Sequence, residues 1–237
     1  MMTLAVMSVT SETNKYTCEF CNKDFVRESS FLKHICTYKH RWLDRDGKGN
    51  RIGFQAWLEF YSKTSMSTKQ RTYGDFIRSP YYNAFIKFGN YCADINALNV
   101  SRFIDWLLKN QIKLDTWNTD TVYNKFLVNY LKEEDPYDAI SRSIRTCFDL
   151  ASEKNIQGND CLRYLNKNII CINIVNGKIS PWLLFQSNSG IKFLESLDPS
   201  QVKMVIDYIN PEQWAIKFKR NESLTNEINH LLKTAGF

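Results

Sequence analysis

Four side chains near the start of the chain restrict its folding more than anything else in the sequence. Cys18 and Cys21 have two residues between them, twelve more precede His34, and five separate His34 from His40. Thiolate and imidazole are the donors that suit a tetrahedral zinc ion, and this spacing supplies a complete ligand set. A tight cysteine knuckle on a hairpin presents two sulfurs, a following helix presents His34 on the same side, and His40 closes the tetrahedron. Cys36 stands between the two histidines and replaces His40 only if the helix unwinds immediately after His34. Tyr16, Phe25 and Phe31 flank the ligands and supply a miniature core, while the metal contributes most of the folding free energy of so small a unit. Four protein ligands leave no open coordination position, so the chemistry is structural and no catalytic residue is assigned.

The stretch YTCEFCNKDFVRESSFLKHICTYKH resembles the two-cysteine, two-histidine (C2H2) zinc-finger family over residues 16–40 of the 237-residue chain. The resemblance implies a ββα module over 16–41 whose first histidine is the seventh residue of the recognition helix. That register turns Arg27, Ser30 and Lys33 toward bases, where arginine and lysine suit the O6 and N7 acceptors of guanine. One such module reads about three base pairs, too little for sequence-specific binding by itself, and the usual linker to a second finger is absent. Lys39 and Arg41 add positive charge beside the same helix. The next residues, HRWLDRDGKGNR, interleave cations with Trp42, Asp44 and Asp46. Gly47, Gly49 and Asn50 have turn chemistry, so this segment reads as a solvated hinge in preference to a phosphate-binding patch.

From Phe54 onward the period is helical. Phe54, Trp57, Leu58 and Tyr61 recur on one face, a polar stretch KTSMSTKQRT follows, and Pro80 opens a helix carrying Phe85, Phe88 and Tyr91. Helices are expected at 100–110, at 119–132 and from Pro136, the last with Arg142 and Arg145 on its outer face, within reach of phosphate but more simply solvated. Near residue 168 two β-rich runs, NIICINIV and KISPWLLF, flank Asn176-Gly177, the favoured pair of a two-residue hairpin turn, so a β-hairpin is expected there. Helical patterns return at 190–196, 199–209, 211–219 and 224–233. The resulting fold class is mainly α: a ββα zinc finger, then a helical body with a C-terminal β-hairpin and helices. The segments are a tail at 1–15, the finger at 16–41, a helical domain at 42–155 and a small mixed α+β module at 156–237.

Composition narrows the function classes. Hydrophobic residues make up 43% and charged residues 24%, which is globular and argues against disorder. No run of eighteen apolar residues exists, so no membrane partner is expected, and MMTLAVMSV lacks the charged front of a signal peptide. Seven cysteines, only two of them closely spaced, fit a reducing, cytoplasmic setting with metal at one end and buried thiols elsewhere. The net charge of +6 permits nucleic-acid binding without requiring it. His230 is the only histidine outside the finger, and no phosphate-cradling loop or nucleophile elbow occurs. Glu133, Glu134 and Asp135 before Pro136 read as a helix boundary, not a metal nuclease site. A lone finger on an unfamiliar helical body rich in Asn, Ile, Lys and Tyr is similar in character to proteins of T4-like bacteriophages, which implies a host-cytoplasmic location. The expectation is a zinc-dependent, non-enzymatic accessory protein that binds nucleic acid, DNA in the first instance, and recruits a protein partner. The alternative is a protein-interaction or virion-assembly factor whose finger docks on protein.

Overall fold

The computed structural model describes residues 15–66 and 69–237. The N-terminal tail, apart from Lys15, lies outside the described residues. The chain divides into two units, Met1–Thr119 and Asp120–Phe237, so residue 155 lies inside the second unit.

The first unit begins with two short antiparallel strands, β1 (Tyr16–Thr17) and β2 (Asp24–Phe25), in which Tyr16 pairs with Phe25 and Thr17 with Asp24. A five-residue helix, α1 (Glu28–Leu32), follows, and then α2 (Thr37–Leu43). The glycine-bearing segment read as a hinge is instead helix: α3 runs from Lys48 to Thr64 and buries Gly49 and Gly53. The reason lies in its partner. After the capped turn α4 (Tyr73–Ile77), helix α5 (Tyr82–Asp94) crosses α3 so closely that a Cβ on Gly53 would stand 2.6 Å from the Phe85 carbonyl oxygen. One on Gly89 would stand 2.0 Å from the Gly49 carbonyl oxygen. Small residues four apart on α3 let two backbones touch, and the packing gained offsets the weak helix propensity of glycine. Trp57, Phe76, Phe85 and Phe88 fill the space around this crossing. Helix α6 (Val100–Lys109) adds Phe103, Ile104 and Leu107, and Trp117 meets Phe85 and Phe88 edge-on.

The second unit is helical throughout. α7 (Asp120–Glu133) and α8 (Pro136–Ser152) match the expected helices, and α9 (Cys161–Tyr164) is a single turn. The expected hairpin is replaced by two helices, α10 (Lys167–Val175) and α11 (Pro181–Gln186), so the region is not a mixed α+β module. Asn176-Gly177 serves as a helix stop. Gly177 has φ +70°, its N–H donates to the Ile174 carbonyl at 2.8 Å, and the Lys178 N–H donates to the Asn173 carbonyl at 2.8 Å. A left-handed residue that closes a helix draws on the same glycine as a hairpin turn, and a short apolar run fits a helix as readily as a strand. Ser180 then caps α11, whose first residue is Pro181. The unit closes with α12 (Asn188–Glu195), α13 (Pro199–Ile209), α14 (Pro211–Arg220) and α15 (Glu222–Thr234).

The mainly helical class with a small N-terminal sheet is therefore observed. Cys92, Cys147, Cys161 and Cys171 are buried and unpaired, as their apolar surroundings suggested. Burial pushes the Cys92 thiol up to about 12, far from thiolate formation at neutral pH. His230 is exposed on α15. No helix among the described residues is long and apolar enough to cross a membrane.

Candidate metal centre

The knuckle is built by backbone geometry. Asn22 adopts a left-handed conformation (φ +56°), its N–H donates to the Cys18 carbonyl at 2.8 Å, and the Cys18 N–H donates to the Lys23 carbonyl at 3.0 Å. Asparagine tolerates this conformation better than other side-chain-bearing residues. The resulting loop holds both sulfurs on one side. Behind them the rings expected to form the miniature core meet: Tyr16 and Phe31 lie 5.8 Å apart, Phe25 and Phe31 6.0 Å, and Phe25 packs 4.7 Å from the His34 ring.

The fourth donor differs from the expectation. Cys18, Cys21, His34 and Cys36 each offer one ligand atom, and these atoms all lie within 4.8 Å of one another. His40 is not in the group. Its Nδ1 sits 2.8 Å from Asp44 on the exposed side of α2. The physical reason is that α1 ends at Leu32, so the chain has left the helix by His34 and is extended at Cys36 (φ −84°, ψ 166°). The extended residue swings its thiol back toward the knuckle and caps α2 by accepting the Lys39 N–H at 3.4 Å. His40 is carried four residues further, about 6 Å along α2 at 1.5 Å per residue.

The four donors are of the type and proximity that could hold a metal ion. Bonds of 2.0–2.3 Å in a tetrahedron require edges of about 3.5–3.8 Å, and Cys21 Sγ already lies 3.3 Å from His34 Nε2. Three cysteines with one histidine is a recognised structural set, with no position left for substrate. Burial opposes ionisation of Cys18, but the backbone amides of Cys21 and Phe20 and the neighbouring Cys21 and Cys36 thiols outweigh it and lower its pKa. For Cys21 the Lys23 amide lowers the pKa, yet desolvation and the adjoining Cys18 and Cys36 sulfurs dominate and raise it. Thiols this close resist losing their protons together, a repulsion that a divalent cation removes.

The five residues expected at nucleic acid are distributed unevenly. Arg27 is the N-cap of α1, Ser30 lies on it and Lys33 is its C-cap, and all three are exposed. Lys39 instead donates its ammonium to the His34 carbonyl at 3.3 Å. Arg41 is turned inward: it donates to the Ile77 carbonyl at 2.7 Å and lies 4.1 Å from the centroid of the Tyr82 ring. With Trp42, which packs between Phe20 at 6.0 Å and Tyr73 at 5.8 Å, Arg41 ties α2 to the helices that follow. Arg142 is likewise committed, to a bidentate pair with Glu134 at 2.6 and 2.8 Å, while Arg145 stays exposed. No protein family, no curated protein and no solved structure matches this chain.

Proposed function

We propose that the N-terminal module holds one structural zinc ion through Cys18, Cys21, His34 and Cys36, and through it presents Arg27, Ser30 and Lys33 to nucleic acid. The observation that carries the reading is the convergence of four soft donors within 4.8 Å beside three exposed polar or cationic residues of one short helix. Zinc fixes the helix, and the cations neutralise phosphate; Lys39 and Arg41 play intramolecular roles. With two cations free to face the backbone, the contact is electrostatic, DNA being the first candidate, and a non-enzymatic accessory role follows. A bacteriophage setting accords with the general character of the sequence.

The test is a salt-titrated binding assay with double-stranded and single-stranded probes. Zinc-loaded protein should bind, and Arg27→Glu with Lys33→Glu should weaken binding and flatten the salt slope by roughly one per lost phosphate contact. Affinity unchanged by this double reversal would sink the nucleic-acid reading. A protein-docking role is the second reading, favoured by the exposure of Val26 (82%), Leu32 (66%) and Ile35 (62%) on the same module. Val26→Asp with Leu32→Asp should abolish co-purification of that partner while leaving nucleic-acid affinity intact, and loss of nucleic-acid binding alone would count against docking.

A further inference from the structure

We propose that the second unit carries an oxyanion-binding cleft, independent of the metal centre, whose ligand is a phosphate group. The cleft has a volume of about 340 Å3 and is lined by Lys132, Lys217 and Arg220, together with Gln213, Asn221, Trp214 and Ile216. No carboxylate is among its lining residues. Lys132 lies in the last turn of α7, and Lys217 and Arg220 lie in the last turn of α14. Cations from two helix C-terminal ends thus converge on one space, where they offset the negative ends of the two helix dipoles.

Lys217 is the centre of the site. Its stem is partly buried, its ammonium donates to the Lys132 carbonyl, and it lies 4.8 Å from the centroid of the Trp214 ring and 5.3 Å from that of Trp182. Two indole faces and a carbonyl hold the charge in place before any ligand arrives, which lowers the ordering cost of binding. Desolvation lowers the Lys217 pKa, and Glu134 and Glu133 oppose that shift. Neither carboxylate lines the cleft. Glu134 is buried and accepts two hydrogen bonds from Arg142, at 2.6 and 2.8 Å, and one from the Ser180 hydroxyl at 3.4 Å. Glu133 is exposed, where water and salt screen it. One buried carboxylate is therefore set against two cations, Arg142 and Lys217, before Lys132 and Arg220 are counted. A partly desolvated ammonium in surplus over its carboxylates is stabilised by an incoming anion, and phosphate accepts from lysine and arginine donors together.

The source of the phosphate distinguishes two arms of one experiment. Full-length zinc-loaded protein is titrated with inorganic phosphate, with pyrophosphate and with a single-stranded deoxythymidine oligomer, and the indole fluorescence of Trp182 and Trp214 beside Lys217 reports occupancy. A saturable response to the inorganic anions supports a free-phosphate ligand, and a response to the oligomer alone supports a backbone phosphate. In either arm Arg220→Gln and Lys217→Gln should each weaken binding by about tenfold or more, as loss of a charged hydrogen bond implies. Lys203→Gln, an exposed cation on α13, should leave it unchanged. Arg220 is exposed, so its variant should keep the far-ultraviolet circular dichroism of the parent even if replacement of Lys217 perturbs packing. The oligomer arm is repeated with Arg27→Glu and Lys33→Glu, which separates failure of the finger from failure of the cleft. No saturable response to any probe, or a response equal in the parent and Arg220→Gln, overturns the proposal.

Discussion

Cys36 and His40 compete for one coordination position, and the structure separates them by main-chain conformation. An extended residue directly after a short helix brings its thiol back to the knuckle, while a histidine inside the next helix points along that helix to Asp44. The expected outcome is that His40→Ala keeps one zinc per chain and Cys36→Ala loses it, read by elemental analysis of the purified variants. Zinc retained in Cys36→Ala but lost in His40→Ala would restore the spacing expected from sequence. A second residue-scale test concerns Asp75, which caps α4 reciprocally with Thr72. The Thr72 amide, then Lys69 and the Thr72 hydroxyl, hold its carboxyl down at about 2, below the ordinary 3.8. A carboxylate with a depressed folded pKa adds stability above its unfolded pKa, and that stability is lost as pH falls toward 2. Asp75→Asn should therefore cost about 1 kcal/mol near neutral pH, the usual worth of a cap, with the difference vanishing on acidification. A third concerns Glu134: Arg142→Met strands a buried carboxylate and should cost about 3–5 kcal/mol, measured by denaturant unfolding. Replacing both partners by apolar residues should recover much of that loss.

Among elements, the α3–α5 crossing and the helix ends behave oppositely toward an added methyl group. At Gly53 and Gly89 a Cβ would meet backbone atoms within 3 Å that belong to the partner helix and have nowhere to move. Gly53→Ala should part the helices and lower the thermal midpoint, even though alanine is the better helix former. At Gly177 the obstacle is conformational, because φ is +70°, and Gly177→Ala should cost about 1 kcal/mol. Gly74 on α4 has no neighbour closer than 3.4 Å, so Gly74→Ala should be neutral or mildly stabilising. An unchanged midpoint in Gly53→Ala would contradict the close approach of α3 and α5. The left-handed stop also recurs with other side chains. Asn96 after α5, Gln111 after α6 and Asn155 after α8 have positive φ, each followed by an N–H that reaches back to a carbonyl five residues earlier.

For the whole molecule, the candidate metal centre and the apolar core are built from separate side chains. The rings around Trp57, Phe85 and Trp117 lie among α3, α5, α6 and the turn after α6, and none of them contributes a metal ligand. Chelation should therefore melt the module of β1, β2 and α1 while most of the helical circular dichroism persists. Collapse of the full helical signal on zinc removal would instead show that the body depends on the metal. Much of this organisation is visible in the sequence. Aspartate or asparagine followed by proline opens α8, α13 and α14, because the cap side chain and the pre-set φ of proline act within a few residues. Several of the readings that changed turned on distant neighbours. Gly49 became helical because α5 lies against it, and Arg41 turned inward because Ile77 and Tyr82 receive it.

Local chemistry alone thus specified the cysteine knuckle, its ring core, the proline-opened helices and the mainly helical class, since each depends on side chains a few residues apart. Folding in three dimensions selected Cys36 over His40, withdrew Arg41 and Arg142 from solvent, and gathered Lys132, Lys217 and Arg220 into one cleft. Those outcomes depend on where a chain points after a helix ends and on which backbone it meets, and contacts across 36 or 85 residues leave no periodic trace in the sequence.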